Sequence, residues 1–141
     1  MPNVTDILMN PVLVISGLVW LIAQTTKYVV ARMNGQSDRF LDSGGMPSSH
    51  AAVITCAATV IALDQGLASP LFGLAVILCA IVLYDSCRVR WMAGETAARL
   101  NTLLKKGERI AVHRGHRISE VAVGTAFGVA LGATLYFWIY S

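Results

Sequence analysis

The sequence predicts an all-α fold, a polytopic membrane helical bundle of about four spans with one additional amphipathic interfacial helix. Of its 141 residues, 55% are hydrophobic and only 13% are charged, and the mean hydropathy is +0.62. A soluble domain carries about 25% charged residues, and half that fraction cannot cover the surface of a small globule. The length predicts a single domain, 1–141, embedded in the membrane.

Four apolar runs, at 7–25, 51–63, 70–84 and 121–140, define the predicted spans, and nearly every charge lies between them. The first and last runs approach the roughly 20 residues that cross a 30 Å hydrocarbon layer, whereas the middle two are short. Short runs suit either buried helices of a soluble protein or spans whose polar ends lie at headgroup depth, and the composition favours spans. No basic region precedes the first run and no cleavage site follows it, so this run is predicted to be a retained span and not a signal peptide.

The segment after the third span predicts an amphipathic helix that lies along the interface or against the spans. It begins at Met92 and ends near Gly107, and Glu95 and Arg99 are spaced to pair one turn apart. Its apolar stripe consists of Met92, Thr96, Leu100, Leu103 and Leu104.

The basic residues are distributed unevenly among the loops. All 11 Lys and Arg residues lie between spans one and two or between spans three and four, while the opposite face holds only Asp6, Asp64 and the chain ends. This asymmetry predicts that both long loops are cytoplasmic. Cations that bind an anion would produce the same asymmetry. The net charge of +3 therefore needs no nucleic-acid partner.

The segment 43–50, with the sequence SGGMPSSH, precedes the second span and predicts an anion pocket. Glycines such as Gly45 let the backbone fold closely around a ligand, and Ser48 or Ser49 can cap the following helix. Amide groups at a helix N-terminus favour phosphate. His50, in the first turn, is placed to donate a proton to a leaving oxygen. The alternative is an ordinary capped helix with an interfacial histidine.

The segment 113–120 leads into the fourth span and contains His116 and Glu120 four residues apart. If the helix begins near Gly115, the carboxylate can hold one imidazole nitrogen and leave the other free to act as a nucleophile or base. Two alternatives are a surface His–Glu pair and a metal site formed by His113, His116 and Glu120.

The end of the third span carries Asp85, whose carboxylate abuts an apolar run and is expected to pair with Arg90 or Arg88. Lys27 closes the first span in a similar way. Snorkelling of these side chains to the interface is the alternative interpretation for Arg88 and Lys27. In a four-span bundle, all of these residues reach the same membrane face as His50 and His116.

These residues make the sequence recognisable as a whole. It resembles the divergent branch of the type 2 phosphatidic acid phosphatase superfamily, membrane proteins related to acid phosphatases and vanadium-dependent haloperoxidases. The resemblance covers most of the chain. The residues that carry it are GGMPSSHA at 44–51, Tyr84-Asp85 followed by Val89-Arg90 and Gly94, Leu100-Asn101, and Gly115-His116 followed by Glu120-Val121.

The resemblance implies a role for each candidate residue. A superfamily Pro-Ser-Gly-His motif, matching 47–50, supplies phosphate contacts and a histidine, His50, that protonates the leaving group. His116 matches the nucleophile and Glu120 the acid that orients it. The substrate-phosphate site then comprises Lys27, Gly45, Ser48, Ser49, Asp85 and Arg90.

The sequence also departs from the superfamily pattern. Asn34 stands where an Arg-Pro pair is expected seven residues after the Lys, and Ile110 stands six residues before His116, where an Arg is expected. Glu120 replaces Asp, and Ser49 replaces the motif glycine. The phosphate-binding cations have therefore been rearranged.

The predicted function is hydrolysis of a lipid phosphate through a phosphohistidine intermediate, without metal or cofactor. A polyprenyl phosphate or diphosphate, phosphatidic acid or a phosphatidylglycerol phosphate would fit as substrate. The expected partners are this lipid and the bilayer, and the sequence leaves a homo-oligomer open. One alternative is a non-catalytic membrane protein that binds or moves a lipid phosphate. Another is a metal-dependent enzyme that uses His113, His116 and Glu120.

Overall fold

The computed structural model describes residues 9–33, 35, 45–105, 107–112 and 115–140. This part of the chain is mainly helical, as predicted. In chain order the helices are α1 (Pro11–Met33), α2 (Ser49–Gln65), α3 (Pro70–Tyr84), a π-helical turn (Asp85–Val89), α4 (Arg90–Leu103) and α5 (Ile118–Tyr140).

The first helix is longer at its C-terminal end than the apolar run predicts. The side-chain oxygen of Asn10 accepts hydrogen bonds from the amides of Val12 and Leu13, so Asn10 caps the start of α1. The helix continues past the predicted end at 25 to Met33. Lys27 therefore lies inside α1 and is buried, with 6% of its surface exposed. The prediction that Lys27 closes the span is wrong, because the helix continues for six residues beyond it and the lysine is buried in the bundle.

Three of the described helical segments are long and apolar enough to cross a bilayer: Pro11–Met33, Pro70–Leu103 and Ile118–Tyr140. The second predicted span, α2, has 17 residues, about 26 Å at 1.5 Å per residue. It packs against α1, α3 and α5. The short apolar run of α2 thus belongs to the central helix of the bundle.

The third predicted span and the predicted amphipathic helix form one continuous helix. The amide of Arg90 donates to the carbonyl of Asp85, five residues earlier, and this π-helical turn joins α3 to α4 without a break. The helix ends at Leu103, and the next residue, Leu104, has an extended backbone. This end lies four residues before Gly107, the predicted terminator. The predicted Glu95–Arg99 pair is present at 3.3 Å. The predicted amphipathic segment is therefore helical, and it continues from α3 instead of starting at Met92.

Helices α2 and α5 run parallel and make the closest contact in the bundle. Gly124, Gly128 and Gly132 of α5 lie against Ser48, Ala52 and Cys56 of α2. A Cβ atom at Gly128 would collide with the carbonyl of Ala52, and one at Gly132 would lie 3.1 Å from the sulfur of Cys56. Only glycine allows the two backbones to approach this closely.

The remaining core joins α1 to α2. Ile15, Val19 and Ala23 of α1 repeat every four residues, as do Ala52, Cys56 and Val60 of α2, and all six are buried in one cluster. Residues four apart lie on one face of a helix, so two such ridges can pack along their full length. This packing aligns the C-terminal end of α1 with the N-terminal end of α2.

Replacing Gly128 with Ala tests the contact between α2 and α5. The added methyl group would force the helices apart, and we expect the free energy of unfolding in detergent to fall by roughly 1–3 kcal/mol, the usual cost of overpacking. Gly73→Ala is the matched control, because a Cβ atom there meets nothing within 4 Å. Equal stability of the two variants, measured by denaturant titration with circular dichroism, would show that the close contact is absent.

Candidate active site

The predicted site residues converge at one end of the bundle. Helices α2 and α5 both begin there, since the amide of Ser48 donates to the carbonyl of Glu120 at 3.3 Å. The end of α3 reaches the same place, because the amide of His116 donates to the carbonyl of Ser86 at 3.1 Å. Two helix N-termini carry partial positive charge and unused amide groups, so this end of the bundle favours an anion.

Gly45 and Lys27 lie against each other. Gly45 has a φ of +89°, a conformation that favours glycine, and a Cβ atom there would lie 3.7 Å from Cε of Lys27. The turn before α2 therefore covers the aliphatic stem of the lysine. Because Lys27 is buried within the bundle, it does not snorkel to the interface as the alternative interpretation proposed.

Ser48 is the N-cap of α2 and is fully buried. Its Oγ accepts a hydrogen bond from the amide of Ala51 at 3.4 Å, and its backbone amide is used by Glu120. The predicted capping role is thus confirmed for Ser48, and its predicted contact with phosphate stays a prediction. Ser49, the first residue of α2, is buried beside it.

His50 lies in the first turn of α2, ahead of the apolar run that begins at 51, and stays accessible to solvent. Partial burial lowers the pKa of its imidazole, and the nearby charges of Arg90, His116 and Lys27 lower that pKa further, while Asp85 opposes them. His50 therefore lies within electrostatic reach of the predicted nucleophile and of both predicted phosphate-binding cations.

Asp85 pairs with Arg90, which resolves the choice between Arg90 and Arg88. Nε of Arg90 lies 3.1 Å from Oδ2 of Asp85, and both side chains are about 40% exposed. The five-residue spacing is bridged because the intervening turn is π-helical. The pair uses one of the five donors of the guanidinium, so Arg90 retains donors for an anion.

His116 and Glu120 form the predicted pair, at 3.0 Å between Nδ1 and Oε2. The same carboxylate oxygen accepts from the amide of Arg117 at 3.1 Å, as in a capping box, because α5 begins at Ile118 and not near Gly115. His116 is therefore held just before the helix, and 5% of its surface is exposed. With Nδ1–H donating to the carboxylate, Nε2 carries the lone pair, and the surface-pair alternative does not fit this burial.

The π-helical turn fixes the backbone of His116, a role that sequence reasoning missed. In a regular helix the amide of Arg90 would bond to the carbonyl of Ser86. It bonds to Asp85 instead, and the carbonyl of Ser86 accepts from the amide of His116. Gly115 makes this approach possible, since a Cβ atom there would lie 2.7 Å from the amide nitrogen of Trp91. Gly115, immediately before His116, is the sequence feature from which this close backbone contact could have been predicted.

Asn101 anchors the loop that carries His116. Its side-chain amide donates to the carbonyl of Ile110 at 2.8 Å and accepts from the amide of Ile110 at 2.9 Å. Ile110 occupies the position at which the superfamily pattern has an arginine, and it binds Asn101 through its backbone amide and carbonyl. Asn101 therefore ties the loop to α4.

The metal alternative requires His113, which lies outside the described residues, as do Ser43, Gly44 and Asn34. Within the described part of the chain, no three His, Cys, Asp or Glu side chains come together.

Comparison with known proteins identifies relatives of the chain. A family model described as "Divergent PAP2 family" matches residues 8–131, which include every predicted site residue. The chain is 33% identical over 117 residues to "Uncharacterized membrane protein YuiD" of Bacillus subtilis (strain 168), covering 69% of this chain and 74% of that protein. No solved structure matches the chain. The resemblance predicted from the motifs is confirmed.

Proposed function

The chain belongs to the divergent PAP2 family, and on that basis we propose that it is a metal-independent phosphatase of membrane lipid phosphates. It is an integral membrane protein. The observation that carries the proposal is the buried His116, held through Nδ1 by Glu120 at an end of the bundle that is rich in cations and helix N-termini.

The first step forms a bond between Nε2 of His116 and phosphorus and breaks the bond from phosphorus to the lipid oxygen. Glu120 keeps the imidazole oriented and stabilises the positive charge that develops on it. Protonated His50 gives its proton to the departing alkoxide, which leaves as an alcohol. In the second step, His50 takes a proton from water, the water oxygen attacks phosphorus, and inorganic phosphate leaves His116.

The cations stabilise the phosphoryl group during transfer. Charge spreads over the three equatorial oxygens, so positioning and electrostatic stabilisation are the main demands of this chemistry. We assign to these oxygens Lys27, Arg90 held by Asp85, and the backbone from Gly45 to Ser49, except for the amide of Ser48, which donates to the carbonyl of Glu120. Ser48 contributes by capping α2 and aligning its amides.

His50 requires a proton for the first step although burial and neighbouring cations lower its pKa. A substrate phosphate carries negative charge into the same place and opposes Lys27 and Arg90. Binding of substrate therefore raises the pKa of His50 and favours the protonated form that the step needs. Protonation of His50 is therefore coupled to binding of the substrate anion at the site.

Phosphate release by the purified protein in phospholipid nanodiscs tests this function. With a panel of lipid phosphates, we expect His116→Ala to abolish release and His50→Ala to slow it by roughly 10²–10⁴-fold, as for loss of a general acid. Glu120→Gln should lower turnover, while Glu95→Gln, which breaks the exposed pair with Arg99, should not.

Three outcomes would contradict the proposal. Release that is unchanged in His116→Ala and His50→Ala would exclude the phosphohistidine mechanism, and loss of release on chelation or in His113→Ala would favour the metal-dependent alternative. Binding of lipid phosphate without release from any lipid would favour the non-catalytic alternative, for which the displaced arginine is the supporting observation.

We also propose that the site faces the cytoplasm, as the positive loops favour. In a background lacking the native cysteines, Ala68→Cys at the turn between α2 and α3 should react with an impermeant maleimide added to intact cells. Lys105→Cys, beyond α4 on the site side, should react only after permeabilisation. The opposite pattern would place the site outside.

A further inference from the structure

A cleft of about 800 Å³ lies directly beside the proposed nucleophile. The third helix, meaning the continuous helix of α3, the π-helical turn and α4, lines one wall with Leu83 and Trp91. The segment that leads into α5 lines the other wall with His116 and Ile118. Arg88 and Arg117 also line this cleft and are exposed. The cleft is therefore apolar over most of its surface, with two cations and the buried imidazole among its lining residues.

A second depression, of about 300 Å³, lies farther along α3, with α2 supplying most of its lining residues. Phe72, Val76 and Cys79 of α3 line one side, Val129 of α5 lines the other, and Thr59 of α2 is among the residues between them. Helices α3 and α5 each pack against α2, while α5 meets the third helix chiefly at the π-helical turn. The space between α3 and α5 is consequently left unfilled, with α2 as its floor.

The two depressions follow one face of the third helix. The lining residues Phe72, Val76, Cys79, Leu83, Cys87 and Trp91 succeed one another at intervals of three or four, the spacing that places side chains on one helical face. From Leu83 to Phe72 the helix rises roughly 16 Å. This length matches about 15 Å, half of the hydrocarbon layer.

We propose that this groove, the α3–α5 groove, binds the hydrocarbon chain of the lipid whose phosphate reaches His116. The inference rests on the proposed function and deepens it. Val76 and Val129 are 47% and 44% exposed, so the groove is open sideways to the bilayer. A lipid in the leaflet on the site side can enter laterally with its chain between α3 and α5. Its phosphate then meets Arg88 and Arg117 before it reaches His116.

The charge of the groove selects the occupant. A neutral lipid would bury its chain equally well but would leave two arginines beside its headgroup without an anionic partner. An anionic peptide could pair with the two arginines. It would not fill the apolar part of the groove, whose length is about half the thickness of the hydrocarbon layer. A phosphate group joined directly to a long hydrocarbon moiety satisfies both ends of the groove. Chain length is then a determinant of turnover.

Hydrolysis by the full-length protein in nanodiscs tests the groove with two variants of neighbouring residues. Val76→Trp adds bulk inside the groove, whereas Ile77→Trp adds it to an exposed position, 59% accessible, that lines neither depression. We expect Val76→Trp to lower kcat/KM for dioleoyl phosphatidic acid at least tenfold and to change that for dihexanoyl phosphatidic acid less than twofold. Ile77→Trp should leave both values unchanged. Equal effects of the two variants, or equal losses for both substrates, would overturn the proposal.

Photocrosslinking provides a readout that does not require turnover. A phosphatidic acid with a diazirine at the end of one chain should label the peptide that contains Phe72, Val76 and Cys79. Unlabelled dioleoyl phosphatidic acid should compete for this labelling and dioleoyl phosphatidylcholine should not. Groove labelling without phosphate release would refute the proposed phosphatase while retaining the groove. Labelling that both lipids displace equally would refute the groove even if release is observed.

Discussion

The close parallel contact between α2 and α5 is the constraint on which the rest of the structure depends. Glycines at 124, 128 and 132 remove the side chains that would separate the two backbones. As a result the two helices begin side by side, joined by the amide of Ser48 and the carbonyl of Glu120. The capped turn that holds His50 and the carboxylate that holds His116 are thereby brought to one place. A shift of either helix would separate the proposed acid from the proposed nucleophile.

The same contact creates an electrostatic imbalance that an anion relieves. Two helix N-termini, Lys27 and Arg90 are gathered at one end of the bundle, and only Asp85 and Glu120 oppose them among the residues that build the site. Burial lowers the pKa of His50, and the neighbouring positive charges lower that pKa further. In the proposed mechanism the substrate phosphate supplies the missing negative charge. The same arrangement of charges therefore provides both the affinity for the substrate and the protonation of His50.

The sequence was sufficient for the helical class, for the bounds of α3 and for the pairing of His116 with Glu120, because apolar runs and four-residue spacings are local signals. It was not sufficient for the continuity of the third helix. A π-helical turn keeps polar residues such as Asp85 and Arg90 inside one helix, where hydropathy predicts an end. Burial of Lys27 and the backbone contact between Ser86 and His116 depend on packing between distant segments. The open space between α3 and α5 likewise depends on which helix each one packs against.

The central claim is that His116 attacks phosphorus and carries the phosphoryl group. Rapid quenching under alkaline conditions, followed by mass spectrometry of the protein mixed with a lipid phosphate, tests it most directly. We expect a phosphorylated histidine at 116 that forms before phosphate is released and is absent from His116→Gln. Steady release of phosphate with no phosphohistidine at any time, or phosphorylation at another residue, would contradict it.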